Sequence, residues 1–244
     1  MNKIKNLNKY LVYQPKVDIN TLEIIGLEAL IRFINSKSLE MLDTEMIIDS
    51  MKSIDEMIYL SNNVVNMVIS DMIKLDKLNN KLNISINMSS KELCNIDLCS
   101  WIEDRFKDRK HYINRMEIEI TEKCEIKNID IMIERISLLK KLGFTVSIDD
   151  LGVGFNQKDV IKNYDVDIVK IDKSMVRDFD NKKEELEYIV DISKEKNIKL
   201  LVEGIESKDD LQRFRDLGFN FGQGYYFYKA MRFEELIENI NPIK

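Results

Sequence analysis

Short apolar, β-branched runs alternate along this chain with longer segments of helical spacing. Eight of the runs read as strands: Tyr10–Val17, Ile24–Phe33, Asn83–Ser89, Met116–Glu122, Phe144–Asp150, Asp167–Asp172, Lys199–Gly204 and Phe221–Phe227. Between most of them apolar residues recur three or four positions apart. Val64, Val68, Met72 and Leu75 do so, as do Met132, Ile136, Leu139 and Leu142, closed by Gly143. Alternating strand and helix predicts a mainly parallel sheet covered by helices, and eight such units predict a closed barrel.

The period of two within the strands says more than their number. Leu27, Ala29, Ile31 and Phe33 share one face of their strand, and Glu28, Leu30 and Arg32 the other. Likewise Ile84, Ile86 and Met88 oppose Ser85, Asn87 and Ser89; Met116, Ile118 and Ile120 oppose Glu117, Glu119 and Thr121; Val169 and Ile171 oppose Lys170 and Asp172. In an open sheet the polar face simply meets water. In a barrel jacketed by helices it points inward, where an unpaired charge is costly. Five or more strands bring Glu, Asn, Asp, Lys or Gln toward their C-terminal ends. That rim is where α/β barrels build active sites.

One strand ends in two acids, Asp149 and Asp150, followed by a glycine-bearing loop. Carboxylates that close repel, and one stays protonated unless a cation or a solvated turn relieves the repulsion. On these residues alone, a turn in water and a metal site are both open.

Composition narrows the chemistry. The 244 residues are 44% hydrophobic and 33% charged, with two prolines and eight glycines and no Pro/Gly/Ser-rich stretch to act as a linker, so one domain over 1–244 is expected. A formal charge of −6 argues against binding DNA or RNA polymers through a basic face, yet leaves a small phosphate ligand open, because a bound dication reverses the field of an acidic cleft. The basic N-terminus lacks the apolar core of a signal peptide and no later run approaches a membrane span, so a cytoplasmic location is expected. Cys94, Cys99 and Cys124 lack zinc-like spacing and read as reduced thiols. His111 is the only histidine and reads as an exposed residue at a helix end. Its isolation disfavours a Ser-His-Asp triad, a multi-histidine zinc site and a histidine-aspartate phosphohydrolase.

A signature tripeptide and seven further short motifs resemble, in order, those of the EAL domain, a bacterial family that hydrolyses cyclic di-GMP. They are Tyr13-Gln14-Pro15 with the signature Glu28-Ala29-Leu30, then Asn87-Met88-Ser89, Glu119-Ile120-Thr121-Glu122, Asp149-Asp150-Leu151-Gly152, Val169-Lys170-Ile171-Asp172, Glu203-Gly204-Ile205-Glu206 and Gln223-Gly224-Tyr225. The resemblance spans about Tyr13 to Ala230. It implies a TIM-like (β/α)8 barrel with one antiparallel strand, a homodimer, and two Mg²⁺ or Mn²⁺ ions.

The resemblance also assigns roles. Glu28, Asn87, Glu119 and Asp149 would hold one ion, with Asp150 sharing a second alongside Asp149; oxygen ligands of this kind suit hard dications. Lys170 would lie near the attacking water, Glu203 near the second ion, and Gln14, Arg32, Gln223 and Asp150 along the substrate. Glu122 would anchor the loop after the Asp pair, and Glu206 would be a supporting carboxylate. The implied reaction is metal-assisted hydrolysis of cyclic di-GMP to linear pGpG.

The chain departs from the family pattern in a few places. Leu151 and Val153 stand where the family commonly has Phe and Thr, and Ile34–Leu39 replaces a His-Pro-containing stretch. Lys16 and Ala230 stand for an apolar residue and a proline, with small effects expected. The alternative reading is a weak or inactive member acting as a cyclic di-GMP receptor or protein-interaction module. A barrel enzyme on another phosphate ester would suit the metals equally, though not the matches at Gln14, Arg32 and Gln223.

Overall fold

The computed structural model describes residues 4, 7–121, 129–151 and 161–240. Its strands are β1 (Asn8–Asp18), β2 (Ile24–Ile34), β3 (Met41–Leu42), β4 (Asn83–Ser89), β5 (Met116–Thr121), β6 (Thr145–Leu151), β7 (Ile168–Ile171), β8 (Lys199–Val202) and β9 (Phe221–Gly222). They form one sheet in the order β1-β9-β8-β7-β6-β5-β4-β2-β3, and a further pairing of β1 with β2 closes it into a barrel of eight strands. β3 lies outside the ring, paired to the end of β2 through Phe33 and Leu42. The ring is parallel except for β1, which runs antiparallel to both β2 and β9.

Pro15 lies in the middle of β1 without weakening it. The Tyr13 amide donates away from β2, to Met231 O at 2.7 Å. Pro15 is two residues on, so its missing N–H falls on that same edge, which β9 joins only at Val17 and Asp18.

The longer helices are α2 (Ile54–Lys77), α5 (Ile129–Leu142), α7 (Phe179–Lys196) and α8 (Lys208–Leu217), with shorter α1 (Thr44–Asp49), α3 (Ser90–Asn95), α4 (Leu98–Phe106), α6 (Lys173–Arg177) and α9 (Phe233–Ile240). Side-chain caps begin several of them: Ser53 on α2, Ser89 on α3, Asp97 on α4, Asp172 on α6 and a Ser207/Asp210 capping box on α8. The apolar stripes meet the outward faces of the strands. Val64, Val68, Met72 and Leu75 of α2, and Met132, Ile136 and Leu139 of α5, are all buried there with Leu27, Ile84, Ile86, Ile118, Val146 and Val169.

The expected strands appear with three corrections. The stretch Phe221–Phe227 is strand only at Phe221–Gly222; Gly224 at φ +156° turns the chain, and its carbonyl accepts from the Phe227 and Tyr228 amides. The strand expected over Lys199–Gly204 stops at Val202, and that expected over Asp167–Asp172 gives up Asp172 to cap α6. β3 is too short for a periodic pattern to reveal. His111 is exposed on a 3-10 turn and rests on Tyr112, with ring centroids 4.2 Å apart. Among the described residues no helix is long and apolar enough to cross a membrane.

Candidate active site

The inward faces of the strands carry the polar residues. Register aligns Gln14 with Glu28 across β1 and β2, Glu28 with Ser85 across β2 and β4, Asn87 with Glu119 across β4 and β5, and Glu119 with Ser147 across β5 and β6. Each pairing is a consequence of strand parity, so the cluster is built by the ladder itself. Glu28, Glu119, Asp149, Lys170 and Gln223 are all buried.

Lys170 is the hub. Its fully buried ammonium lies 2.7 Å from Glu119, 2.7 Å from Glu203, 3.0 Å from Asp149 and 3.5 Å from Glu28. Asn87 Nδ2 donates to Glu28 Oε1 at 3.0 Å, and Gln223 Nε2 donates to Glu28 Oε2 at 2.7 Å and to Gln14 Oε1 at 3.3 Å. Gln14 Nε2 in turn donates to Tyr228 O at 3.1 Å. These amides fix the Glu28 carboxylate from two sides while leaving the Asn87 carbonyl as an oxygen ligand.

Asp149 and Asp150 break the period of two. Ile148 pairs with Val169 and Leu151 with Ile171, so β6 spends three steps where β7 spends two. The extra residue is accommodated by Asp150 at φ +59°, a left-handed conformation that Asp tolerates better than most residues. Neighbouring carboxylates that would otherwise point to opposite faces thereby converge. Asp149, Asp150 and Glu203 each offer an oxygen within 4.8 Å of the others, as do Glu28, Glu119 and Asp149.

The remaining expected residues lie farther out or elsewhere. Arg32 is on the Glu28 face of β2 but four residues, roughly 13 Å, nearer the rim, half-buried with its guanidinium on Ile31 O at 2.8 Å. Glu206 is exposed before α8, its amide donating to Asp210. Glu122 and the loop with Gly152 and Val153 lie outside the described residues.

Lys16 departs from its expected small role. It is 2% exposed, and its ammonium donates to Glu117 Oε2 at 2.8 Å and Glu119 Oε1 at 2.5 Å. Parity was the available signal: Lys16 shares the inward face with Gln14, and Glu117 with Glu119.

So many acids around two ammonium groups shift one another's protons. Burial pushes the Glu203 carboxyl up to about 8, only partly offset by Lys170. Burial and the Glu119 charge raise Glu28, and burial outweighs Lys170 to raise Asp149. Burial also acts upward on Glu119, but the Lys16 and Lys170 ammonium groups on its oxygens outweigh it and hold Glu119 well below the carboxylate range. Burial opposes the Lys170 charge, and Asp149, Glu119, Glu203 and Glu28 reverse that and raise it.

A stability prediction follows for the metal-free protein. Between the ordinary carboxyl range and about pH 8, folded Glu203 keeps a proton that the unfolded chain has released. Stability falls with rising pH wherever the folded state binds more protons. Melting in chelator should therefore occur lower at pH 8 than at pH 5.5, by roughly 6–12 °C, from about 3 kcal/mol of linkage in a domain of this size. A melting point that rises over this interval would contradict the raised Glu203 carboxyl.

The donor set is carboxylate and amide oxygen, with no sulfur or imidazole in it, and an ammonium already sits at its centre; both features fit hard dications. The EAL domain model matches residues 1–230. This chain belongs to the EAL domain family.

Several relatives agree with that placement. The "Probable cyclic di-GMP phosphodiesterase PdeG" of Escherichia coli K12 is 28% identical over 188 residues, covering 74% of this chain and 36% of its own length. The solved structure "EAL Enzyme Bd1971 - cAMP and cyclic-di-GMP bound form" superposes with a TM-score of 0.86 at 25% identity, covering 95% of this chain and 64% of that one. The Bacillus subtilis YkuI protein, solved with cyclic di-GMP and calcium, superposes at 0.80 with 20% identity, over 94% of this chain and 57% of that one, and supports the fold. The chain spans less than half the length of the first curated relatives it matches. Within the EAL fold the signature residue Glu28 lies at the heart of the acid cluster, held by Asn87 and Gln223.

Proposed function

We propose that this EAL domain hydrolyses one phosphodiester of cyclic di-GMP and releases linear pGpG. The observation that supports this most is the convergence of Glu28, Glu119, Asp149 and Glu203 around Lys170 at the C-terminal rim of the barrel, with Asp150 beside Asp149 and Glu203. Glu28, Asn87, Glu119 and Asp149 would hold one Mg²⁺ or Mn²⁺, and Asp149, Asp150 and Glu203 a second. When bound, such ions supply positive charge beside the phosphodiester and make water a nucleophile at neutral pH.

The chain's own residues do the rest. Lys170 gives a buried positive charge beside the cluster, where it orients the attacking water and favours its deprotonated form. Asp150, Gln14 and Gln223 line the floor under the substrate, and Arg32, nearer the rim, meets a phosphate oxygen with its planar fork. By the family resemblance, Glu206 would support the second-ion side from outside the cluster, and Glu122 would anchor the loop after the Asp pair. The homodimer implied by the family resemblance belongs to this reading, and the chain's mass in solution by light scattering tests it.

The deciding experiment incubates the purified chain with cyclic di-GMP and Mg²⁺, Mn²⁺ or chelator, and follows the nucleotides by chromatography. Metal-dependent pGpG is the expected result. Tight binding without product would make the domain a receptor instead, with the Leu151 and Val153 replacements the first place to look.

A further inference from the structure

Glu119 is the most enclosed carboxylate of the cluster, with no exposed surface, and each of its oxygens holds a different ammonium. Lys170 takes Oε2 from the rim side at 2.7 Å, and Lys16 takes Oε1 at 2.5 Å. The two lysines are not equivalent. Lys170 has three other carboxylates within 3.5 Å, so it keeps anionic partners if an ion takes Glu119 Oε2. Lys16 has Glu117 as its other carboxylate partner among the described residues, at 2.8 Å. The second oxygen of Glu117 is buried without a hydrogen-bond partner there, so Glu117 and Lys16 each depend on the other. Lys16 is therefore pinned, and Glu119 Oε1 is pinned with it.

A carboxylate with one oxygen committed to a fixed ammonium has one left to give an ion. Mg²⁺ needs near-ideal octahedral geometry and accepts single-oxygen carboxylates, whereas Ca²⁺ takes more ligands and readily uses both oxygens of one carboxylate. We propose that Lys16 is a positioning residue that confines Glu119 to single-oxygen coordination and so biases the site toward small octahedral dications and against Ca²⁺. This rests on the metal-site reading given under Proposed function.

The test is calorimetric binding of Mg²⁺, Mn²⁺ and Ca²⁺ to the purified chain without nucleotide. The main variant, Lys16→Met with Glu117→Leu, removes one charge of each sign and leaves Lys170 in place. It should shift the Ca²⁺ to Mg²⁺ affinity ratio toward Ca²⁺ by at least about fivefold, because Glu119 regains its second oxygen. Glu117→Gln alone, whose amide oxygen still accepts from Lys16 and leaves its ammonium on Oε1, should keep the ratio near that of the parent, and Lys16→Arg, which keeps a cation on Oε1, should do the same. Circular dichroism and melting establish that each variant is folded. Should the double variant not fold, Lys16→Gln, whose shorter amide does not reach Glu117 and Glu119 together, should move the ratio in the same direction.

Equal changes in affinity for all three ions would overturn the proposal and reduce Lys16 to a source of charge. The same shift in Glu117→Gln as in the double variant would overturn it too, and assign the effect to Glu117. A parent chain that binds none of the ions would count against the metal site itself, which is a different failure.

Discussion

Replacing Asp149 with asparagine should cut metal-dependent turnover by about a thousandfold while leaving the metal-free protein as stable as the parent at pH 8, or more so. The two effects share one cause. Burial and the charges of Glu119 and Asp150 press against ionisation of Asp149, outweighing the Lys170 ammonium at 3.0 Å, so losing that charge relieves repulsion in the empty cluster. Asparagine keeps an oxygen to accept from the Asp150 amide, a contact of 3.1 Å in the parent, so the bulge that turns Asp150 inward should survive. What disappears is the carboxylate common to both three-acid groups. An ion's charge stabilisation is worth several kcal/mol and each decade of rate about 1.4 kcal/mol, which sets the thousandfold scale. Initial rates with Mn²⁺ and a melting curve in chelator check both halves. A variant that kept most of its activity would show that the acid cluster is not the reacting centre.

A site whose acids repel one another is less stable empty than an apolar core would be, and function explains why it is kept. The same tension decided what was legible in the sequence. Outward apolar and inward polar positions follow a period of two that any reader can apply, so Glu28, Asn87, Glu119 and Lys170 fall on one surface before any coordinate is seen. The bulge at Asp150 breaks that period, and no local signal distinguishes it from an ordinary solvated turn. The aromatic run Tyr225–Phe227 reads as strand because β propensity is high, but Gly224 turns the chain beneath it. Antiparallel β1 is invisible to patterning, since direction leaves no trace in alternation; the family resemblance supplied one antiparallel strand without saying which.

Lys16 is the instructive miss. Standing where the family more often has an apolar residue, it carries an expectation of small effect, although its parity with Gln14 places it inside the barrel. Its partners Glu117 and Glu119 sit two residues apart on β5, about a hundred positions away. Buried lysines need partners that long-range pairing alone can provide. The fold was thus readable from local periodicity, and the charge balance of the site only from contacts between distant strands.

Lys170→Met carries the second large effect. Four carboxylates lie within 3.5 Å of the Lys170 ammonium. Removing one side of a buried ion pair costs roughly 3–5 kcal/mol, because it leaves buried charge uncompensated. The carboxyls escape part of that by holding protons, which raises Glu28, Asp149 and Glu203 further above the unfolded chain and lifts Glu119 from its depressed position. The folded variant then binds still more protons than the unfolded one, and its stability falls more steeply with rising pH than the parent's. Melting in chelator should show a large deficit at pH 8 that shrinks at pH 5.5. With Mn²⁺ supplied, folding should recover, since the ammonium competes with an ion for the same oxygens and its loss leaves that affinity intact or tighter. Turnover should not recover: losing the cation beside the water is expected to lower kcat by about 10²–10⁴-fold even at saturating metal. Normal turnover in this variant would remove Lys170 from the reaction. Loss of turnover together with loss of metal affinity would recast it as the residue that gathers the carboxylates, because only an ammonium that acts on the water separates the two measurements.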